Sequence, residues 1–185
     1  MVKKKTCVFI SGTGTNLKAL IKNSNNYNFP ININLVFSNN KNAKGLNIAK
    51  LHKIPYRIFN LNNRIHQELL LLDLKKRKIS LICLAGYMKI LSKFFINKFK
   101  GKIINIHPSL LPKYKGLNTF SRVLKSKDKY TGCTVHYVNE KLDSGKIILK
   151  KKVYVEKHDN ENTLKNKVQQ KEYQAFSEAV IKIYN

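Results

Sequence analysis

An asparagine and a histidine stand two residues apart at the end of a short segment that contains three isoleucines, residues 102–106. Branched apolar residues favour a buried strand, and residues two apart on a strand point to the same side, as Asn105 and His107 would. Pro108 has no N–H and ends the strand's hydrogen bonding. An amide and an imidazole at a strand exit can bind a substrate oxygen or move a proton, although they could equally cap a turn.

A second candidate site follows the first apolar run of the chain. Residues 6–11 predict a buried strand, and a helix is expected from Leu17. Backbone N–H groups at a helix start can bind a phosphate, aided by the positive end of the helix dipole. The loop lacks the spacing of the common nucleotide-binding loops, so a tight turn with a residue near the helix cap is the alternative. Its residues are Gly12, Thr13, Gly14, Thr15 and Asn16.

Three further segments contain candidate functional residues, but their patterns are less specific. Residues 86–91 leave the fully apolar segment 81–85, and their side chains would cover a flat ring or fill the core. Asp143 precedes Ser-Gly, a sequence typical of a turn. His136 lies in an alternating segment, and either faces the site or is an ordinary strand histidine.

Strands and helices are predicted to alternate along the whole chain. This order predicts a single α/β domain over residues 1–185, with a predominantly parallel sheet and helices on both faces. Apolar spacing predicts core positions in two of the helices: Ile65, Leu69, Leu72 and Leu74 in residues 62–78, and Leu164, Val168, Phe176, Val180 and Ile183 in residues 161–184. Strands are predicted at residues 6–11, 31–38, 56–60, 81–85, 102–106, 130–139 and 146–155, and the other helices at 17–21, 43–53, 94–99 and 117–126.

The chain is strongly basic, with a formal net charge of +26 from 36 basic and 10 acidic residues. Only four of the basic residues are arginines, the type that favours bidentate phosphate and base contacts. We therefore expect attraction of anionic small molecules and no specific nucleic-acid binding. Apolar runs are too short for a membrane span or a signal segment, so a cytoplasmic protein is predicted. The three cysteines are an odd number and lack C-x-x-C spacing, so we expect buried free thiols and no metal site.

Five separated motifs together resemble the 10-formyltetrahydrofolate-dependent formyltransferases. The most specific reads N-I-H-P-S-L-L-P-K-Y-K-G over residues 105–116, and the glycine loop reads I-S-G-T-G-T-N over residues 10–16. The others are Arg64, the segment G-Y-M-K-I-L at 86–91 and L-D-S-G at 142–145. The resemblance covers nearly the whole chain, and it implies a Rossmann-like formyltransferase domain.

The resemblance implies an enzyme of purine biosynthesis that moves a formyl group from 10-formyltetrahydrofolate to the amine of glycinamide ribonucleotide. By resemblance the catalytic residues are Asn105, His107 and Asp143. Residues 12–16 would bind the ribonucleotide phosphate, and Gln169 and Glu172 would border its glycinamide end. The folate contacts implied by the resemblance are Arg64, Met88, Lys89, Ile90, Leu91 and Asn105. A lysine stands at 89 where the family has arginine, and the chain lacks the family's histidines at 117–120.

The residues suit that chemistry, since an amine attacking a formyl carbon creates an oxyanion that needs preorganised donors. Asp143 is expected to hold His107 charged and oriented, because a nearby carboxylate favours the cation. The branch of the family that formylates methionyl-tRNA is the alternative enzyme, although its glycine loop usually differs and it carries a further domain. A basic RNA-binding module is the non-enzymatic alternative, and the expected clustered arginines and stacking aromatics are missing. The protein is expected to be a monomer or homodimer.

Overall fold

The computed structural model describes residues 2–184, in which strands and helices alternate. The strands are β1 (Lys4–Ile10), β2 (Ile31–Ser38), β3 (Tyr56–Ile58), β4 (Leu81–Leu84), β5 (Lys102–His107), β6 (Tyr130–Tyr137) and β7 (Ile147–Tyr154). The helices are α1 (Thr15–Ser24), α2 (Gly45–Leu51), α3 (Arg64–Lys76), α4 (Lys93–Lys98), α5 (Thr119–Ser126) and α6 (Glu161–Tyr184). The predicted α/β fold is confirmed, with element ends that differ by a few residues from those predicted.

The seven strands belong to one sheet, in the order β3-β2-β1-β4-β5-β6-β7. β1 pairs in parallel with β2 and with β4, and β2 pairs in parallel with β3. β6 and β7 pair antiparallel. The chain divides into two compact units, residues 1–104 and 105–185, and each is described by itself below.

The core of the first unit lies around β1. Residues 6–10 of this strand are fully buried, as expected for an apolar strand between two parallel neighbours. The Phe9 ring contacts three other rings, with its centroid 4.5 Å from that of Phe37, 5.5 Å from that of Tyr87 and 6.0 Å from that of Phe95. This cluster fixes β1, and with β1 the glycine loop that follows it.

The apolar face predicted for α3 was largely wrong. Leu74 is buried as expected, but Ile65, Leu69 and Leu72 are exposed. The buried residues of α3 are Gln67, Leu70 and Leu74, which lie three and four residues apart and therefore share one helix face. Leucines surround α3 on several sides, so apolar spacing alone could not identify the face that packs against the unit.

The second unit is built from the β6–β7 pair and the helix α6, which packs against both strands. Leu164, Val168, Phe176 and Val180 are buried as predicted, whereas Ile183 is half-buried. Residues 138–146 connect β6 to β7. A Cβ at Gly145 would lie 1.7 Å from the carbonyl oxygen of Tyr137, so only glycine fits there, and the turn that carries Asp143 is held closely against the end of β6.

The three cysteines, Cys7, Cys83 and Cys133, are buried free thiols, as predicted. Burial raises the pKa of the Cys133 thiol to about 12, which keeps it protonated and unreactive. None of the helices within residues 2–184 combines the length and the apolar character that a membrane crossing requires.

Candidate active site

The second unit brings Asn105, His107 and Asp143 into one cluster. Asn105 and His107 lie at the end of β5, and Asp143 lies in the turn between β6 and β7. Nδ1 of His107 is 3.3 Å from Oδ2 of Asp143, and both side chains are almost fully buried. The same carboxylate oxygen accepts the backbone N–H of Gly116 at 2.9 Å. Asp143 therefore links the imidazole to the loop that follows β5.

The other ring nitrogen of His107 is also engaged. Nε2 lies 2.8 Å from the carbonyl oxygen of Tyr114. A carbonyl can only accept a hydrogen bond, so this contact places a proton on Nε2. Since both ring nitrogens face acceptors, the protonated imidazole would satisfy both contacts at once.

The pKa of His107 is set by opposing effects. Burial, aided by the charges of His136 and Arg122, lowers this pKa below its ordinary value of 6.5 in spite of the raising effects of the Tyr114 carbonyl and the Asp143 carboxylate. The predicted effect of Asp143 therefore has the expected sign, but the expectation that His107 is cationic at neutral pH is not supported. Burial would also raise the pKa of Asp143, yet His136, the Gly116 N–H and His107 together bring it below its ordinary value of 3.8.

His136 is a fourth member of the cluster. It is buried, its Nε2 lies 3.2 Å from Nδ2 of Asn105, and its Nδ1 lies 2.8 Å from the carbonyl oxygen of Tyr137. The carbonyl requires the proton on Nδ1, which leaves Nε2 to accept from the Asn105 amide. Nε2 also lies 3.6 Å from Oδ1 of Asp143. Of the two alternatives that the sequence left open, the structure favours the histidine that faces the site.

The loop after His107 is fixed by a buried hydroxyl. Thr134 on β6 donates to the carbonyl oxygen of Ser109 at 2.7 Å and accepts the N–H of Leu111 at 3.0 Å. Ser109 donates in turn to the carbonyl oxygen of Lys113 at 2.6 Å. These bonds satisfy backbone groups in a loop without regular structure. Thr134 was not among the predicted residues, and its place in an alternating strand gave no signal of this role.

In the first unit, the glycine loop packs closely against α2. Gly14 has φ +76°, and a Cβ at this position would lie 2.6 Å from Cα of Gly45. The loop is also joined to the exit of β4, because the N–H of Met88 donates to Oγ of Ser11 at 2.8 Å. α1 begins at Thr15 with no acidic residue in its first turn. Asn16 therefore lies in the first turn of α1 rather than at its cap.

The residues predicted to contact folate in the first unit differ in exposure. Met88, Lys89 and Ile90 are exposed, whereas Leu91 is buried. Arg64 begins α3, where its guanidinium lies 3.1 Å from the Phe94 ring centroid and its Nε lies 2.9 Å from the Glu68 carboxylate. An exposed ion pair of this kind contributes little stability.

In the second unit, Gln169 and Glu172 are half-buried on α6. Glu172 lies close enough to Cys133 on β6 for its charge to raise the pKa of that thiol.

The cluster lies at the carboxyl end of β5 in an α/β sheet, the edge at which proteins of this architecture bind ligands. Residues 4–180 match the family model described as Formyl transferase, and the chain belongs to that family. The family predicted from the sequence motifs is confirmed.

The relatives of the chain are purine-biosynthetic proteins. It is 43% identical over 177 residues to the phosphoribosylglycinamide formyltransferase of Haemophilus influenzae, a match that covers 94% of this chain and 84% of that protein. It is 41% identical over 182 residues to the human trifunctional purine biosynthetic protein adenosine-3, covering 96% of this chain and 18% of that protein.

Solved structures give the same result. The phosphoribosylglycinamide formyltransferase from Brucella melitensis superposes with a TM-score of 0.92 at 38% identity, covering 98% of this chain and 95% of that one. The enzyme from Bacillus halodurans superposes with a TM-score of 0.91 at 32% identity, covering 97% and 95%.

Proposed function

We propose that this protein transfers a formyl group from 10-formyltetrahydrofolate to the amine of glycinamide ribonucleotide. The observation that carries the proposal is the cluster of Asn105 with the buried His107 and Asp143, in a chain with a relative that is named for this reaction. The family uses a formyl-folate as co-substrate, and 10-formyltetrahydrofolate is the donor we assign to this chain.

The reaction begins with attack of the amine nitrogen on the formyl carbon. A new C–N bond forms, and the electrons of the C=O double bond move to oxygen, which becomes an oxyanion. Asn105 donates an N–H from its amide to that oxyanion. One hydrogen of this amide is directed at Nε2 of His136, which orients the group and leaves its second hydrogen for the substrate.

His107 takes the proton that the attacking amine must lose. Its lowered pKa makes it mostly neutral at pH 7 and therefore able to act as a base. The imidazolium that forms lies beside the Asp143 carboxylate, and the developing oxyanion favours the same cationic form. When the C=O double bond re-forms, the bond from carbon to the folate nitrogen breaks, and that nitrogen gains a proton from His107 or from water.

The residues that we expect to bind the two substrates are those implied by the family resemblance. Gly12, Thr13, Gly14, Thr15 and Asn16 would bind the phosphate through backbone N–H groups near the start of α1, and Glu172 would border the glycinamide amine. Arg64, with Met88, Lys89, Ile90, Leu91 and Asn105, would contact the folate. A single domain over residues 1–185, a cytoplasmic location and a monomeric or homodimeric state remain predictions from the sequence.

The test is a transfer assay with 10-formyltetrahydrofolate and one of two acceptors, glycinamide ribonucleotide or methionyl-tRNA, with the formylated product detected by mass. We expect formylation of the ribonucleotide alone. His107→Ala and Asn105→Ala should lose that activity, while Lys89→Ala should keep the chemistry and weaken folate binding. Formylation of methionyl-tRNA, or ribonucleotide formylation that survives in both cluster variants, would contradict the proposal.

A further inference from the structure

Tyr114 connects the catalytic histidine to the end of α5 through both its backbone and its side chain. Its carbonyl oxygen lies 2.8 Å from Nε2 of His107. Its hydroxyl donates to Oδ2 of Asp128 at 2.8 Å, and it also bonds Oγ of Ser126. One residue therefore links His107 to a turn more than ten residues further along the chain.

The backbone of Tyr114 is held in an unfavourable conformation. Its φ is +56°, in the left-handed region that a bulky side chain rarely adopts. Such a conformation persists only where surrounding contacts determine it. The hydroxyl bonds supply two of these contacts, and the Arg122 guanidinium, 5.4 Å from the Tyr114 ring centroid, supplies another. Arg122 also donates to the carbonyl oxygen of Lys115 at 2.7 Å.

We propose that Tyr114, held by its hydroxyl on Asp128, is a positioning residue that aims its carbonyl at His107 and thereby fixes the proton on Nε2. The proposal rests on the role assigned to His107 above. Tyr114 itself need not touch a substrate, because it acts through the imidazole.

The consequence for the chemistry concerns the second ring nitrogen. With Nε2–H committed to the Tyr114 carbonyl, Nδ1 is the nitrogen that carries the added proton when the imidazolium forms, and Asp143 is the acceptor beside it. The charged or titratable groups that act on this imidazole are Asp143, His136 and Arg122. Asp143 accepts at Nδ1 and so favours the Nδ1–H tautomer, which means that the Nε2–H tautomer depends on the Tyr114 carbonyl.

The experiment compares Tyr114→Phe and Asp128→Ala with the wild-type enzyme. Tyr114→Phe keeps the ring and removes the hydroxyl, and Asp128→Ala removes the acceptor. Lys113→Met is the matched control, because Lys113 pairs with the same Asp128 oxygen at 2.9 Å without contacting His107. The readouts are the nitrogen-15 NMR shifts of the His107 ring, which report the tautomer, and kcat and KM for both substrates.

We expect both test variants to shift the His107 tautomer towards Nδ1–H and to reduce kcat about tenfold, the loss expected for a charge-assisted hydrogen bond, with KM unchanged. Lys113→Met should match the wild type in both readouts. The double variant Tyr114→Phe with Asp128→Ala should be no worse than either single variant, because both remove the same anchor.

Wild-type tautomer and kcat in folded Tyr114→Phe would overturn the proposal. If Tyr114→Phe fails to fold, the result for Asp128→Ala decides the question. The Asp128 side chain is partly exposed, so we expect this truncation to be tolerated. The NMR arm needs no substrate. A wild-type protein that fails to formylate glycinamide ribonucleotide would therefore refute the proposed function. The NMR measurement would still show whether Tyr114 fixes the His107 tautomer.

Discussion

Replacing Asp143 with asparagine separates the charge of this residue from its shape. The introduced amide would keep an acceptor for the Gly116 N–H, which Asp143 binds at 2.9 Å. Asparagine also tolerates the left-handed backbone found here, with φ +46°. The variant should therefore fold normally and lose only the negative charge beside His107.

The size of the effect follows from the geometry. Nδ1 of His107 and Oδ2 of Asp143 are 3.3 Å apart and almost fully buried, and an opposite charge this close shifts a pKa by about one to three units. Because Asp143 raises the His107 pKa, the variant should have a still lower pKa. Each unit corresponds to about tenfold in the stability of the imidazolium, so turnover near neutral pH should fall about a hundredfold.

The sign of the pH dependence distinguishes this mechanism from a loss of structure. His107 acts as a base in its neutral form, so the wild-type rate should fall as pH drops through the His107 pKa, below 6.5. In Asp143→Asn this fall in rate on the acid side of the pH–rate profile should occur at lower pH, and the maximal rate at higher pH should also be lower. A variant that merely loosened the turn would lower the maximal rate without changing the pH at which the rate falls.

The assay is a single-turnover pH profile together with NMR titration of His107 in both proteins. Ser144→Ala is the control, because Ser144 is the exposed neighbour of Asp143 and donates to the Leu142 carbonyl oxygen at 2.8 Å. It should leave the His107 pKa unchanged. His107→Ala should cost about as much as Asp143→Asn, and the double variant little more. An unchanged His107 pKa with near-normal turnover in Asp143→Asn would show that Asp143 is only a turn residue.

Three other predictions test the rest of the assignment. Gly14→Val should weaken binding of the phosphorylated substrate more than folate binding, measured by calorimetry on folded protein. Gly45→Ala, which crowds the same contact from α2, controls for packing, and equal losses for both ligands would count against the loop. Binding of tRNA should be non-specific and fall steeply between about 50 and 200 mM salt, whereas tight binding at the higher salt in filter-binding assays would revive the tRNA alternative. His136→Phe should lower kcat about tenfold by releasing the Asn105 amide, and unchanged steady-state kinetics would show that His136 only fills space.

The sequence predicted those parts of the molecule in which neighbouring residues carry the information. Asn105 and His107 are two apart on one strand, so their common side followed from strand geometry. β1 and β4 could likewise be predicted from runs of adjacent apolar residues. The face of α3 was missed because exposed leucines at 69 and 72 mimic a buried stripe, and only packing decides which side of a helix is covered.

The contribution of His136 was ambiguous for a different reason. Alternation in β6 allowed its side chain to face the site, but the acceptor on Tyr137 and the donor on Asn105 are brought to it by tertiary structure. A histidine in a strand has no sequence feature that reveals which of its nitrogens carries the proton. That assignment needed the distances to two partners, one of which lies 31 residues away.

Main-chain groups are the part of this site that side-chain motifs cannot reveal. The imidazole of His107 is held between a carboxylate, which the motif contains, and a backbone carbonyl, which every residue possesses. Tyr114 itself has a left-handed φ of +56°. Since this conformation is unfavourable for tyrosine, the bond from its hydroxyl to Asp128 is needed to hold it. An acidic residue outside every recognised motif therefore supports the catalytic histidine, which is why its substitution should change the chemistry without touching a substrate.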